Sequence, residues 1–485
     1  MKIYNSFSKK PETFAPPTEK KVALYVCGLT PYDDTHVGHA RAFVTFDIVK
    51  RYLLKNGYNV LHLQNITDVD DKIIRRCMET GADPKELTSR VNDGAMELLN
   101  NLNIMPADLY PKVTEHVNDI IALVEKLLAK GFAYETKTGV YFDVSKFPAY
   151  GRLSGQRLEE LRAGSRKEVD ESKRNALDFA LWKKSKGELL EFDSPWGRGR
   201  PGWHIECSAM AMKYAGETID IHGGAQDLIF PHHENEIAQS EAATAKRFVR
   251  FWMHTGFLTV NGEKMSKSLG NFTTLSQSMQ RFSANAHRLF FIQSHYRSPV
   301  NYEEAALARA EESAERIFNS IGLIEEKLQQ QGNKLNREYR KKSDQLISDF
   351  YSAMDDDFDT PSALSVLFTL LRVTNSHLNS SFIDKKQLEK VRKTIHEMLW
   401  IFGLQDKQIH SQDLNMHDIK NLAIGLGIKT EKYNTTHLLD KIVQKREESR
   451  NKKDFKKADE IREKLAKLGI LLEDKKGSTK WKAKQ

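Results

Sequence analysis

Leu24-Tyr25-Val26-Cys27-Gly28-Leu29-Thr30-Pro31-Tyr32-Asp33-Asp34-Thr35-His36-Val37-Gly38-His39-Ala40-Arg41 is the stretch whose reading decides the rest of the chain. Val22 to Val26 is a short, β-branched apolar run of the kind that forms a buried strand, and Gly28 and Pro31 break it. From Ala40 a helical pattern sets in, with Phe43, Phe46, Ile48, Val49, Tyr52 and Leu53 largely on one side and Gly57 where a helix would close. Strand, loop and helix in that order gather unpaired backbone amides and the positive end of a helix dipole at one point, which favours a phosphate. His36 and His39 stand at that point as hydrogen-bond donors, and Gly38, lacking a Cβ, lets a flat ligand approach the backbone. Taken alone, the spacing is better read as two ordinary polar loop histidines.

A second motif changes that balance. Lys264-Met265-Ser266-Lys267-Ser268, continued by Leu269-Gly270-Asn271, follows a hairpin signal at Asn261-Gly262. Two lysines flanking a small turn can fold over a triphosphate and neutralise a departing pyrophosphate, although a solvated basic loop would look the same in isolation. The two motifs together, in this order, resemble the signature pair of the class I aminoacyl-tRNA synthetases.

Length and composition set the frame around them. A chain of 485 residues, 40% hydrophobic, is too long for one core and suits three or four domains. Met1 to Lys10 has no signal-peptide core, and no run approaches the roughly 20 apolar residues a membrane span needs. A cytoplasmic protein without membrane contact is therefore expected. The three cysteines, Cys27, Cys77 and Cys207, are too few and odd in number for a disulfide framework. Residues 441–485 hold 16 Lys or Arg against 8 Asp or Glu, an excess equal to the +8 of the whole chain. Such a basic end suits a polyanion such as RNA, and it also suits a merely solvated tail.

Along the chain, Val60 to Ile66 reads as a second strand and Thr67-Asp68-Val69-Asp70-Asp71 as the turn into a helix, so that strand, helix and strand form a parallel right-handed unit. Asp83-Pro84 opens a helix through Leu98, another runs from near Lys112 to Gly131, and Phe132 to Val144 reads as a hairpin turning at Gly139. From Tyr150 to about Trp196 the texture is charged and glycine-interrupted, as in an insertion. Thr218 to Ile221 is a predicted strand followed by His222-Gly223-Gly224, a helix opens around Pro231, and Phe251 to Gly256 is a further strand. Beyond Tyr302 helical seams dominate: Leu307 to Leu328, a helix from Thr360-Pro361, and another from Leu388 to Gly403, an antiparallel bundle. Ser411 to Thr436 reads as a linker before a small basic module from Leu438.

A metal constellation crosses this order. His232 and Glu236, at i and i+4, can take two corners of a tetrahedron, and Cys27 with Cys207 would complete a two-sulfur, one-nitrogen, one-oxygen zinc set. His233 and His204, each three residues from one of those ligands, compete for the same role, and spacing leaves the choice open. Cys77, inside a charged helix, reads as structural.

At the level of whole motifs the chain resembles the cysteinyl-tRNA synthetase family over nearly its full length. The resemblance rests on Tyr25-Val26-Cys27-Gly28 through His39, Asn65-Ile66-Thr67-Asp68, Gly202-Trp203-His204-Ile205-Glu206-Cys207-Ser208, Phe230-Pro231-His232-His233-Glu234-Asn235-Glu236 and the lysine loop. It continues in His295-Tyr296-Arg297-Ser298-Pro299, Phe358-Asp359-Thr360-Pro361 and Lys457-Ala458-Asp459-Glu460-Ile461-Arg462. One departure is Ala176, where the family pattern has proline. The resemblance implies an α/β fold: a class I, Rossmann-like parallel-sheet catalytic domain with an insertion, then an α-helical bundle and a small C-terminal domain. The implied boundaries are 1–110 and 201–260 for the two catalytic halves, 111–200 for the insertion, 261–305 for the lysine-loop and stem-contact region, 306–404 for a tRNA-binding bundle and 405–485 for an anticodon-binding module.

For the chemistry, the resemblance implies zinc, one per subunit, on Cys27, Cys207, His232 and Glu236, with L-cysteine's backbone held by Gly28, Thr67, Trp203 and Asp227. It implies ATP, with Mg2+, at Thr30, His36, Gly38, His39, Lys264, Ser266 and Lys267, of which His36, His39, Lys264 and Lys267 are catalytic. The expected reaction makes cysteinyl-adenylate and then charges tRNA(Cys), as a monomer and without an editing domain, since a metal–sulfur bond rejects serine where a pocket could not. Two rivals share parts of the pattern: a ligase joining cysteine to an amino sugar, which would not need the bundle and basic end, and a non-catalytic RNA-binding relative, which would have no chemical reason to keep the two histidines and two lysines.

Overall fold

The apolar run at Val22–Val26 becomes the middle of a parallel sheet in the computed structural model, which describes residues 1–15, 20–156, 172–185, 187–260, 262–264, 273–330, 333–380, 383–406, 416–428, 435–452, 454–468, 470–475 and 478–483. Two compact units result, Met1–Leu404 and Gln405–Gln485.

The first unit opens with an antiparallel pair, β1 (Lys2–Asn5) and β2 (Lys10–Thr13). Strand β3 (Lys21–Leu29), helix α1 (Val37–Lys55) and strand β4 (Asn59–Ile66) then form the parallel unit expected from the sequence. Alternation along β3 sends Val22, Leu24 and Val26 into one core and Tyr25 into another on the opposite face. Helices α2 (Asp71–Thr80) and α3 (Pro84–Asn101) start where Asp70 and Asp83 accept from backbone N–H groups of the first turn, as the sequence suggested. Helix α4 (Val117–Ala129) starts later than expected, because Val113–Glu115 forms a separate 3₁₀ turn.

The expected hairpin is β5 (Ala133–Glu135) and β6 (Gly139–Phe142), with one correction. Gly139 lies in the strand, opposite Lys183, and a Cβ there would come 2.1 Å from the Trp182 carbonyl oxygen, so it is close strand approach that needs glycine. Strand β7 (Phe179–Lys184), inside the stretch that read as charged and pattern-poor, and β8 (Gly199–Pro201), just beyond it, complete a four-stranded antiparallel sheet.

Helix α5 (Trp203–Ala215) leads back to the parallel sheet through β9 (Ile219–Ala225). His222-Gly223-Gly224, beyond the expected end of the strand at Ile221, continue it, with His222 in register with Tyr25 of β3. The helix expected around Pro231 is in fact a distorted turn, Ile229–His233, with an extended Phe230 and a cis Phe230–Pro231 bond, and regular helix α6 begins only at Glu234 (Glu234–Thr244). Strand β10 (Val249–Thr255) closes the sheet in the order β10-β9-β3-β4, all neighbours parallel.

Strands β11 (Leu258–Val260) and β12 (Glu263–Lys264) form the hairpin at Gly262, and β13 (Val300–Tyr302) pairs with β11 after helices α7 (Leu275–Met279) and α8 (Ala284–Ile292). The bundle follows: α9 (Glu304–Gln329), α10 (Arg337–Asp355), α11 (Thr360–Leu378) and α12 (Lys385–Phe402). The apolar residues of these helices join one core with α1 and one face of the sheet. The second unit holds α13 (Met416–Gly425), α14 (Thr435–Asn451), α15 (Phe455–Lys467) and the antiparallel pair β14 (Ile470–Lys475) and β15 (Ser478–Ala483). Helix α13 falls inside the expected linker, and Ile419 and Ala423 hold it in that unit's core. No helix among the described residues is long and apolar enough to cross a membrane.

Candidate active site

Strand β3 is flanked by β4 on one side and β9 on the other, and its chain leaves toward β4 through α1. The crevice at the carboxyl ends of such strands is where an open α/β sheet takes its ligands. Cys27 lies near that end of β3, His222 on the adjacent β9, Cys207 in α5, and His232 and Glu236 around the start of α6.

One ligand atom from each of Cys27, Cys207, His232 and Glu236 falls within 4.8 Å of all the others. His232 Nε2 is 3.0 Å from Glu236 Oε1, and Cys27 Sγ is 3.9 Å from the same oxygen. Cys207, His232 and Glu236 are buried and Cys27 is half-buried. A second quartet overlaps it: Cys27, His222, His233 and Glu236. His233 Nε2 sits 3.3 Å from Cys27 Sγ while its Nδ1 meets His254 Nε2 at 2.7 Å, and His222 Nε2 meets Glu236 Oε2 at 2.9 Å. Of the two competitors left open by spacing, His233 therefore belongs to the second quartet. His204 instead places Nδ1 2.9 Å from His232 Nδ1. His222 and His254 escaped the sequence reading because strand register brings them in.

The charges inside this pocket are strongly coupled. Burial alone would raise the Glu236 carboxyl, but His222 and His232 hold it down at about 2. Burial alone would lower His232, but Glu236 and Cys207 beside it raise it to about 10. The hydrogen bond from Cys27 draws the Cys207 thiol down to about 6, whereas burial pushes the Cys27 thiol up. Two thiols, an imidazole and an ionised carboxylate, gathered out of water, are a donor set that suits a borderline-soft divalent cation in tetrahedral geometry. Both oxygens of Glu236 are engaged: His222 takes one and leaves the other facing His232 and Cys27, which is how an outer partner orients a metal ligand.

The residues expected at the amino acid have these placements. The Gly28 N–H donates to Asn65 Oδ1 (2.9 Å), Asn65 Nδ2 donates to Thr67 Oγ1 (3.1 Å), and the Thr67 N–H donates to the Leu29 carbonyl oxygen (3.0 Å). Trp203 is 38% exposed, with its ring 4.5 Å from that of His232, so it presents an aromatic face at the pocket's edge. Asp227 lies in the 3₁₀ turn Gln226–Leu228 that follows β9, close enough to oppose the lowering of His36.

At the phosphate end, His36 occupies the N-cap of α1 and His39 its first turn, with the two rings stacked 3.6 Å apart. Burial lowers His36 to about 4 and His39 to about 3, which favours the neutral imidazole with one N–H to donate on each ring. The loop from Leu29 to His36, which includes the carboxylates Asp33 and Asp34, lines a cleft there together with His39 and Val91. A Cβ at Gly38 would come 2.9 Å from the His36 ring, so the glycine makes room for that imidazole. Lys264 ends β12; its side chain, together with Ser266 and Lys267, lies outside the described residues.

Comparison with known proteins adds three family matches: a tRNA synthetases class I (C) catalytic domain over residues 13–312, a DALR domain over 349–405, and a cysteinyl-tRNA ligase anticodon binding domain over 438–481. The chain is 45% identical to the cysteine–tRNA ligase of Thermococcus onnurineus over 497 residues, covering 99% of each. It is 44% identical over 496 residues to that of Thermodesulfovibrio yellowstonii, covering 100% of each. Among solved structures, methionyl-tRNA synthetase of Mycobacterium tuberculosis in complex with methionyl-adenylate superimposes with a TM-score of 0.59 at 16% identity, over 86% of this chain and 96% of that one. The ternary LeuRS–tRNA–LeuAMS complex of Agrobacterium radiobacter K84 gives 0.62 at 12% identity, over 80% and 85%. Both are likenesses of fold.

Proposed function

We infer that this chain, which belongs to the cysteine–tRNA ligase family, selects its amino acid through a zinc ion held by Cys27, Cys207, His232 and Glu236. The reaction is the ATP-dependent activation of cysteine to cysteinyl-adenylate, followed by transfer to the 3' end of tRNA(Cys). Identity along the whole chain and the anticodon-domain match identify the acceptor as tRNA, not an amino sugar, and the protein as a ligase, not a non-catalytic relative.

The convergence of two thiols, an imidazole and a carboxylate within 4.8 Å is the observation that carries the metal reading. When bound, zinc supplies a soft acceptor that favours a thiolate over an alcohol, which is the discrimination between cysteine and serine. His222 keeps Glu236 turned toward the ligand cluster. Gly28, Thr67, Trp203 and Asp227 surround the backbone of the amino acid, with the Asp227 carboxylate suited to its ammonium group.

Positioning and charge neutralisation then carry the first step, in which the cysteine carboxylate attacks the α-phosphorus of ATP in line and pyrophosphate leaves. Thr30, Gly38 and the backbone amides at the start of α1 receive the nucleotide, with Mg2+ accompanying it. His36 and His39 donate N–H groups to phosphate oxygens, while Lys264, Ser266 and Lys267 meet the departing pyrophosphate. No protein nucleophile is needed.

Cys207→Ser tests the metal reading. Zinc content should fall from one per chain toward zero, and cysteine-dependent pyrophosphate exchange should fall by more than the roughly 100-fold that loss of an outer partner costs. Normal exchange by zinc-free protein would overturn the assignment.

A further inference from the structure

Arg41 lies on α1 just beyond His39, and it is 2% exposed. Its Nη1 donates to the carbonyl oxygens of Gly256 (2.9 Å) and Phe257 (2.7 Å), and its Nη2 to those of Tyr296 (3.3 Å) and Ser298. Among the described residues no carboxylate pairs with this guanidinium, so the buried charge is satisfied by four backbone carbonyls drawn from two segments. Those segments are themselves joined: the Gly256 N–H donates to Tyr296 O (2.8 Å) and the Val300 N–H to Phe257 O (2.9 Å). Gly256-Phe257 directly precede β11, whose hairpin with β12 leads into the lysine stretch. Where the chain returns from that stretch, the Leu275 N–H donates to Thr35 O (2.8 Å), and His36 bridges Thr274 in antiparallel fashion. Both ends of the lysine stretch are thus tied to the start of α1, the exit by backbone and the entry by one side chain.

We propose that Arg41 is a positioning residue for adenylate formation, its guanidinium clamping the base of the β11–β12 hairpin onto α1 and so fixing the origin of the lysine stretch relative to His36 and His39. The planar fork suits this task, since its several N–H groups reach four carbonyls at once, whereas an ammonium serves fewer. The proposal rests on the reading of Lys267 as a pyrophosphate contact. A misplacement of about 1 Å between the two halves of a phosphate site is enough to cost up to roughly 100-fold in rate.

The test is a double-mutant cycle on the full chain, read by cysteine-dependent pyrophosphate exchange. Arg41→Lys should lower kcat by at least about 10-fold while leaving the KM for cysteine within about 2-fold and zinc content unchanged. In a Lys267→Ala background the same substitution should cost less than about 3-fold, because the group it positions is gone. Equal losses in both backgrounds, or an unchanged kcat, would overturn the proposal. Arg41→Gln, which keeps a donor without the buried charge, is the second variant, and failure of both to fold would assign Arg41 to the fold alone and end the proposal. Lys267→Ala without effect by itself would instead remove the reading of the lysine stretch.

Discussion

At Gly28 a methyl group would sit 1.7 Å from the Asn65 carbonyl oxygen, and backbone cannot step aside as a flexible side chain can. Gly28→Ala must therefore push β3 away from β4 where Cys27 and Thr67 need their spacing. The expected cost is about 1–3 kcal/mol of stability, as for other overpacked sites, with a raised KM for cysteine. Denaturant midpoints and exchange kinetics check this, and an ordinary KM in the Gly28→Ala enzyme would refute it. His39 gives a residue-level pH test. Its folded value of about 3 lies below its ordinary 6.5, so the unfolded chain binds the extra proton, and stability falls as pH drops from 6.5 toward about 3. His39→Gln should flatten the fall in melting temperature between about pH 6 and pH 4. An unchanged slope would mean that the buried imidazole does not titrate as described. Only His232 and Glu236 carry local spacing that can be read as a ligand pair; Cys27 and Cys207 lie far apart in the chain, and the family resemblance, not spacing, singled out this quartet over His204 and His233. The parts played by Asn65, His222 and Arg41 could not be read in the sequence, since what they do follows from strand register and from carbonyls more than two hundred residues away in the case of Arg41.

Elements were legible where a periodic seam coincided with an end signal. Helix α11 shows both, with Asp359 accepting from the Ser362 N–H ahead of its buried leucines. Helix α10 has the end signal, with Asn336 accepting from the Tyr339 N–H, but Tyr339, Leu346, Phe350 and Met354 form only a narrow buried stripe in an otherwise charged segment, and the sequence reading passed over it. Strand β7 was hidden in the same way, since its buried Phe179, Leu181 and Trp182 are surrounded by lysines and glycines. What secures α10 against α12 is Asp384. It caps α12 through the Gln387 N–H (3.2 Å), accepts from the Asn336 N–H (2.9 Å), and takes Arg340 Nε and Nη2 at 2.7 and 2.9 Å. The Arg340 guanidinium holds this carboxyl at about 2, below its ordinary 3.8. A depressed carboxyl contributes stability that is fully present above 3.8 and is lost as pH falls through about 2. Asp384→Asn should therefore lower stability at pH 7 by about 1–2 kcal/mol, and the gap between the two proteins' urea midpoints should narrow as pH approaches 2. A gap independent of pH would show that the charge is not what the cap contributes.

At the scale of the whole molecule, charge and packing divide the chain near the same place. The two large cores draw on residues no later than Leu404, and the second unit has its own, built from Ile419, Leu438, Leu439, Ile442, Ile461, Leu465, Ile470 and Leu472. Removing residues 405–485 therefore cuts through neither of the cores that support the parallel sheet and bundle. The same removal deletes the +8 excess of residues 441–485, which equals the formal charge of the whole chain. If that excess meets the tRNA backbone, truncation after Leu404 should leave cysteine-dependent pyrophosphate exchange within about 2-fold while lowering kcat/KM for tRNA charging by at least about 10-fold. The advantage of the full chain should also shrink as salt rises, because contacts between lysines and phosphates release counterions on binding. Equal charging by both forms across the salt range would show that the basic unit makes no contact with the tRNA. Loss of exchange together with charging would instead show that the first unit depends on the second for its fold, which separate cores argue against.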